Sequence, residues 1–467
     1  MPKPVPAGQG RENNKKRIVM LRYACLVLLG GIFAWPAQSQ AQQFDGFQGP
    51  SILSRGSRPI GKSGGRPIRF RGFAGVGTGY YGGLVRAGTD SSGRLTDEEG
   101  ISGVASWGVY GNKAGKRSSG SASYNGSAQI FGRRRYFSGI NQSLGLTYST
   151  MLNRRWSAFA GANAGEQNLI LGVNSSAFVQ EYFDRPVTAT NEVFDSRFYS
   201  LSGGAGLSYQ KSARMTFSFS GAGQTVKRRA AGFVGQEGYT AQAEMSYAFS
   251  RRTKFGVAYS FGDVFFRKAY GESFIHSAIA SWGRQLDPHW SLTVGGGAYA
   301  VKSDRIQVIQ VDPLVAALTG QTAAPQAFHN TTSGLAASAG LNGSYRKQAL
   351  GVGYNRGASP GNGLYLTSAQ ESVNAHYSYT GLRRANVGVQ ANYSKMRPLL
   401  QTVQNLGLWE SYGVGAGFGY RITNYLHFSV GGQTYQARAQ GTQLNQLRYG
   451  VNAGIYFSPG DIPLILW

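Results

Sequence analysis

YTAQAEMSYAFSRRTKFGVAYSFG, residues Tyr239–Gly262, alternates between two kinds of side chain on either side of a short polar break. One parity is apolar or aromatic, as at Tyr247, Phe249, Phe255 and Tyr259, and the other is small or polar, as at Gln242, Glu244 and Ser260. A period of two residues predicts β-strands with one apolar and one polar face. The break at 251–253 predicts a tight turn, so the stretch is interpreted as a β-hairpin.

The same alternation recurs along most of the chain. Between residues 68 and 457 it predicts about eighteen strands, with sixteen as the alternative count. Glycine supplies 68 of the 467 residues, about double its usual share. No long stretch has the 3.6-residue apolar period of an amphipathic helix. We therefore predict an all-β chain built as one repetitive sheet.

The connections between these strands alternate between short and long from residue 150 onward. The longest are 166–196 and 302–331. Such asymmetry is typical of a transmembrane, antiparallel, up-and-down β-barrel, which has tight turns on one side of the membrane and long loops on the other. A soluble secreted β-protein is the rival interpretation. It has no reason to keep its long loops at one end, and structureless loops of this length are uncommon in compact domains.

Aromatic residues flank the short turns. Amphipathic rings favour a membrane–water boundary, so these positions predict an aromatic girdle. Its expected members are Tyr148, Trp156, Tyr209, Phe249, Phe255, Trp282, Trp290, Tyr420 and Tyr425.

The N-terminus predicts a secretory signal peptide over residues 1–41. Basic residues precede a short apolar run, and small residues precede the expected cleavage point after Ala41. Residues 42–67 predict a flexible periplasmic leader, with a plug inside the barrel as the alternative. Residues 68–467 are the predicted barrel. Cleavage would remove Cys25, which is the one cysteine, so no disulfide or thiol site is expected.

Taken together, the chain resembles bacterial outer-membrane β-barrel proteins of the porin-like type. A weaker likeness is to barrels associated with exopolysaccharide and exosortase systems, carried by the aromatic residues around a short basic turn in YAFSRRTKF. The resemblance implies an integral outer-membrane location. It implies outer-membrane lipid, lipopolysaccharide and the barrel-assembly machinery as partners, with Trp467 as a terminal assembly signal.

A barrel of this size encloses water, because side chains cannot fill it. The apolar face is therefore expected to meet lipid, and the small polar face to line the lumen. The formal charge of +26 falls mostly at the strand ends, where basic side chains would meet lipid headgroups. The candidate lumen-lining residues are Arg69, Arg71, Gln242, Glu244, Arg346, Asn374, His376 and Arg448.

Catalytic, metal and cofactor sites are not expected. His376 shares its strand face with serines but with no carboxylate that could orient it. No His/Cys/Asp/Glu cluster has metal-ligand spacing. The glycine-rich stretches lie in strands with no helix after them, which argues against phosphate binding. The basic residues form no patch interleaved with stacking aromatics, so nucleic-acid binding is also not expected.

The sequence thus predicts an outer-membrane pore or export channel that passes hydrophilic or anionic solutes, or a polysaccharide, by diffusion. The long loops 166–196 and 302–331 are the expected constriction, with Glu181, Asp184, Glu192 and Asp195 as its acidic residues. The alternative is a non-conducting structural or glycan-binding surface barrel. A barrel enzyme is the third hypothesis.

Overall fold

The computed structural model describes residues 68–89, 95–132, 137–168, 197–229, 234–310, 322–361, 366–399, 407–440, 445–459 and 461–464. Contacts divide the chain into Met1–Gln40, which lies outside the described residues, and Ala41–Trp467, which contains all of them. The predicted signal peptide, the leader 42–67 and Trp467 also lie outside the described residues.

Strands make up almost all of the described residues. They are β1 (Ile68–Thr89), β2 (Leu95–Ala114), β3 (Ser118–Phe131), β4 (Gly139–Met151), β5 (Trp156–Asn168), β6 (Arg197–Gln210), β7 (Met215–Arg228), β8 (Gln236–Ala248), β9 (Thr253–Phe266), β10 (Gly271–Gln285), β11 (Trp290–Gln310), β12 (Ala323–Tyr345), β13 (Gln348–Ser359), β14 (Ser368–Tyr379), β15 (Ala385–Pro398), β16 (Trp409–Arg421), β17 (Leu426–Ala439), β18 (Asn445–Phe457) and β19 (Asp461–Leu464). A single 3-10 turn, Arg267–Ala269, joins β9 to β10. No helix among the described residues is both long and apolar enough to cross a membrane.

Each strand pairs antiparallel with its neighbours in the sequence, and β18 pairs with β1. The sheet is therefore a closed barrel of eighteen strands, which confirms the predicted fold class and the count of eighteen over sixteen. The short β19 follows β18 after a break and pairs with the first residues of β1, Ile68 with Leu464. Because every strand is paired around the ring, the wall has no open edge.

The outer face of the barrel is apolar. Large hydrophobic side chains point away from the lumen and stay exposed, such as Val76 at 67%, Ile101 at 69% and Leu335 at 66%. On β16 the outward-facing apolar side chains form a stripe from Tyr412 to Tyr420. The next outward-facing residue beyond Tyr412 is the charged Glu410. A tilted strand needs about 9–11 residues to cross a bilayer. The stripe matches that length, so the barrel is an integral membrane barrel of the kind found in bacterial outer membranes.

The short turns share one hydrogen-bonding device. In the turn before β5, the side-chain oxygen of Asn153 accepts from the backbone N–H groups of Arg155 and Trp156, at 2.8 and 2.9 Å. Asp287 does the same for His289 and Trp290, at 2.7 and 2.8 Å. The equivalent oxygens in three other turns belong to Ser212, Ser250 and Thr423. A short polar side chain thus caps each of these turns locally.

The predicted girdle residues lie at this short-turn end. The rings of Trp156 and Tyr209 are 4.7 Å apart, and those of Phe249 and Phe255 meet edge to face at 6.4 Å. Ile68 and Leu464 are at the same end, because β1 begins beside the turn between β2 and β3. In an outer-membrane barrel the short turns are periplasmic, so the first and last described strands begin and end on that side.

The opposite, long-loop end departs from the sequence-based boundaries. The region 302–331, interpreted as a loop, is largely a continuation of β11 and β12, which pair from Trp290–Gly343 up to Gln310–Ala323. In the same way, β1 and β2 extend beyond Tyr81 and Gly100 to Thr89 and Leu95, with a register shift after Tyr81. Alternation in these polar stretches is weak, so it does not indicate that the ladders continue.

Candidate solute pathway

The inner face of the barrel carries many small and polar side chains, with large buried ones such as Phe73, Tyr81 and Trp409 among them. Strand alternation places Gln242 and Glu244 of β8 on this face, opposite Ser260 and Ala258 of β9. Asn374 and His376 of β14 are also on it, beside Asn392 and Gln390 of β15. Such a lining cannot fill a barrel of this size, so the wall encloses a polar interior.

The predicted lining arginines differ in position. Arg71 is on the inner face near the short-turn end, where β1 pairs with Tyr110. Arg448 is on the inner face of β18, but only 6% of it is exposed, and it donates to Gln446 Oε1 at 3.0 Å. The side chain of Arg69 lies outside the described residues.

Arg346 does not line the lumen, so that prediction is wrong. It lies in the two-residue turn between β12 and β13, with φ at +51°, and its guanidinium stands 5.3 Å from the centre of the Tyr345 ring. The sequence pattern extended the strand by one residue, which assigned Arg346 to a face. In a tight turn, a left-handed backbone conformation takes the side chain off the ladder altogether.

The inner wall has two different halves. Along β5 to β8, inward residues such as Ser202, Gln224 and Glu244 are half-buried. Along β15 to β17, Asn386, Ser394, Ser411 and His427 are at most 1% exposed. Solvent in the lumen therefore reaches the β5–β8 wall more than the β15–β17 wall.

At the long-loop end, the described residues next to one connection lie inside the lumen. This connection joins β13 to β14, and its described residues just before β14, Leu366 and Thr367, lie against strands on another part of the wall. Thr367 Oγ1 donates to Ser273 Oγ of β10 at 2.6 Å, and Ser273 Oγ is 2.9 Å from Ser303 Oγ of β11. Strands β11, β12 and β13 lie between β10 and β14 in the sheet. The described residues on the two sides of this connection, 358–361 and 366–369, are called the inward tip.

Apolar contacts hold the inward tip in place. Leu366 packs with Val264 and Phe266, which are inward residues of β9. Ala358 and Ala369 pack against the cluster of Tyr299, Val301 and Ala336 on β11 and β12. Other large side chains are also buried on the inner face, such as Tyr81, Phe131 and Trp409. Leu366 differs from them because it precedes β14 and yet packs on β9, across the lumen, so it marks a place where the lumen is narrowed.

The end of β15 supports the same tip. Leu399 N–H donates to the Thr367 carbonyl at 3.0 Å, and the Leu399 carbonyl accepts from Asn330 Nδ2 of β12 at 3.2 Å. Leu399 also packs on the Tyr299 cluster. The tip is thus tied to the wall on both sides, to β10 through Thr367 and to β12 through Leu399.

Basic side chains outnumber acidic ones on the described inner face. Strand alternation places Glu98 and Glu244 on that face, against a larger basic set: Arg71, Arg228, Lys254, Arg305, Arg421 and Arg448. An excess of one charge sign in a low-dielectric channel favours counter-ions in the lumen.

The inward tip was missed by the sequence analysis, which named 166–196 and 302–331 as the constriction. Most of 302–331 is strand, so that part of the prediction is wrong, while residues 169–196 and their four acidic residues lie outside the described residues. A signal for the tip was present. The sequence Gly363-Leu364-Tyr365-Leu366 is apolar, although it lies in the middle of a predicted external loop. A loop that is surrounded by water normally has polar residues at such positions.

His376 lies in a packing position. Its ring covers Gly351 on the neighbouring strand, where even a single added methyl group would collide with it. Its Nδ1 is buried and has no hydrogen-bond partner within the part of the chain that the structure describes. Across those same residues, no three His, Cys, Asp or Glu side chains form a group that could hold a metal ion.

Comparisons with known proteins find a likeness in shape to several solved porin structures. No family model and no curated protein matches it. The OccAB4 structure from Acinetobacter baumannii has a TM-score of 0.41 at 11% identity over 85% of this chain and 99% of that one. A BenF-like porin from Pseudomonas fluorescens has a TM-score of 0.42 at 11% identity, with the same coverages. Pseudomonas aeruginosa OccK2 in complex with glucuronate has a TM-score of 0.40 at 10% identity, covering 85% and 98%.

Proposed function

We propose that the protein is a passive outer-membrane channel for small hydrophilic solutes, with a preference for anions. The observation that carries the proposal is the polar lumen of a closed eighteen-stranded barrel, narrowed by the inward tip. Hydrophilic solutes cross such a lumen by diffusion, and the constriction sets the size that passes. The basic excess on the inner face supports the anion preference.

Planar-bilayer recording of the purified barrel tests the channel. We expect stepwise conductance, and a reversal potential in a potassium chloride gradient that shows more permeation by chloride. Liposome swelling with neutral and anionic sugars of similar size gives the solute preference. A barrel that inserts but gives neither conductance nor swelling contradicts the channel, while equal permeation by both ions contradicts only the anion preference.

A non-conducting barrel is the second candidate, and the β15–β17 wall favours it. Asn386 and His427 are fully buried there, and neither the Asn386 amide atoms nor the His427 ring nitrogens have a hydrogen-bond partner within the described ranges. Polar groups in that state are costly unless a further group covers and satisfies them. A fully folded barrel that gives no conductance in the bilayer experiment would support this candidate.

The sequence analysis also gave export of a polysaccharide as an option for the channel. A polymer needs a wide continuous path, and the inward tip narrows the lumen instead. We therefore do not extend the proposal to a polymer.

A further inference from the structure

The outer face of the barrel has a groove on β5 to β9, near the long-loop end. Its volume is about 740 Å³, within the range of ligand pockets. The floor is formed by Ala162, Gly203 and Gly223, and the walls include Leu201, Tyr239 and Phe265. These outward positions lie on the face that meets lipid, so the groove opens into the membrane and not into the lumen.

The glycines in the groove are not required by the backbone. A methyl group added at Gly203 would meet its nearest atom at 3.6 Å, and one at Gly223 would do so at 3.8 Å, which are ordinary contact distances. Gly238, which also lines the groove, is the exception, because a side chain there would collide with the Asp263 carbonyl. The space above Gly203 and Gly223 is therefore left open although the fold does not need it to be.

The aromatic side of the groove is preformed. Tyr239 stacks at a tilt against Phe265 at 6.3 Å and against Phe261 at 6.2 Å. Thr225 lines the groove, and its Oγ1 is buried and has no hydrogen-bond partner among the described residues. A largely aromatic, apolar wall suits a ligand that has an acyl chain.

Basic residues lie directly beyond the groove, toward the long-loop end. Lys227 follows Thr225 by two residues, about 7 Å along the strand, and Arg229 follows it by four. The Arg229 guanidinium stands 4.8 Å over the Tyr199 ring, and Arg197 and Arg267 are close by. Four acidic residues also lie on this part of the outer face: Glu166, Glu237, Asp263 and Glu272. Glu237 is paired with Arg267 at 2.6 Å, and Asp263 and Glu272 lie on β9 and β10. The basic side of the rim is therefore the part on β6 and β7, where Arg197, Lys227 and Arg229 lie.

We propose that this groove binds one lipopolysaccharide molecule through its lipid A. An acyl chain lies over Gly203 and Gly223 against Tyr239 and Phe265, and a lipid A phosphate meets Lys227 and Arg229. Lipid A carries both acyl chains and phosphates, and it occupies the membrane leaflet on the long-loop side. This site is separate from the lumen, so it does not depend on the proposed channel function.

The test uses the full-length purified barrel in detergent, titrated with lipid A and followed by native mass spectrometry. We expect one lipid A to be retained, with dephosphorylated lipid A and phosphatidylglycerol held much more weakly. Gly223→Leu fills the groove and is expected to weaken retention by about tenfold. Gly103→Leu is the matched control. It is an outward glycine of β2 with no atom within 4 Å of an added methyl group, and it should retain lipid A like the unaltered protein.

A substitution in the basic rim provides an independent test of the site if the Gly223→Leu variant does not fold. Lys227→Gln is expected to weaken retention about fivefold, since a basic residue near an anionic lipid surface adds a modest attraction. Lys113→Gln, at the short-turn end, is its control. Equal retention in Gly223→Leu or in Lys227→Gln overturns the site. Retention of phosphatidylglycerol as strong as that of lipid A overturns lipid A as the ligand.

Discussion

The two ends of this barrel are held together by different kinds of contact. At the short-turn end, each capped turn satisfies its own backbone with a side chain two or three residues away, as Asp287 does for His289 and Trp290. At the long-loop end, the inward tip is held by contacts between residues far apart in the chain, such as Thr367 and Ser273. The first end therefore depends on local chemistry, and the second on the closed shape of the barrel.

Removing the inward tip should have the largest effect on conductance, because it takes away the residues that narrow the lumen. We expect replacement of residues 360–366 by Asn-Gly, which suits a two-residue hairpin, to raise single-channel conductance about twofold or more. Shortening the β17–β18 connection at 441–444 in the same way is the control, and it should leave conductance near its original value. An equal rise in both variants would contradict a specific role for the inward tip.

Asp287→Ala tests the local chemistry of the short-turn end. It removes the acceptor for two backbone N–H groups, so we expect the free energy of unfolding to fall by about 1–2 kcal/mol. Urea unfolding in lipid vesicles, followed by tryptophan fluorescence, measures it. Gln285→Ala, at an exposed neighbouring position, should change stability by less than about 0.5 kcal/mol. Conductance should not change in either variant.

Thr367→Val tests the tie between the tip and β10 while it keeps the shape of the side chain. Loss of the Ser273 bond costs about 1 kcal/mol, so the tip should leave the wall about fivefold more often. We expect more frequent transitions to a higher conductance level. Thr380→Val is the control, because Thr380 makes a similar bond to the Lys347 carbonyl at the other end. Identical current traces from the two variants would rule out a gating role for this bond.

Glu244→Gln should have the smallest effect. It removes one of the acidic groups on a mainly basic inner face, so the reversal potential should shift slightly toward chloride. Glu237→Gln is the matched control on the outer face, where its carboxylate pairs with Arg267. A shift of the same size in the control would show that the lumen charge is not what sets selectivity.

The predictions from sequence succeeded where the signal was local and repeated. Alternation on both sides of 251–253 gave the strands, and their number gave the closed barrel of eighteen. Turn boundaries were less secure, as Arg346 shows, because one residue decides whether a side chain is on the ladder or in the turn. The far ends of β11 and β12 were missed because polar strands that extend beyond the membrane lack an apolar face to reveal their period.

The sequence by itself determined that this chain forms a membrane barrel, because the strands carry their own two-faced pattern and five of the short turns carry their own cap. Only the tertiary structure decided how the lumen is narrowed. Leu366 and Thr367 acquire their partners Val264, Phe266 and Ser273, which are far from them in the sequence, only once β9 and β10 stand opposite them in a closed wall. The groove over Gly203 and Gly223 likewise exists only after β6 and β7 are placed in register beside Tyr239.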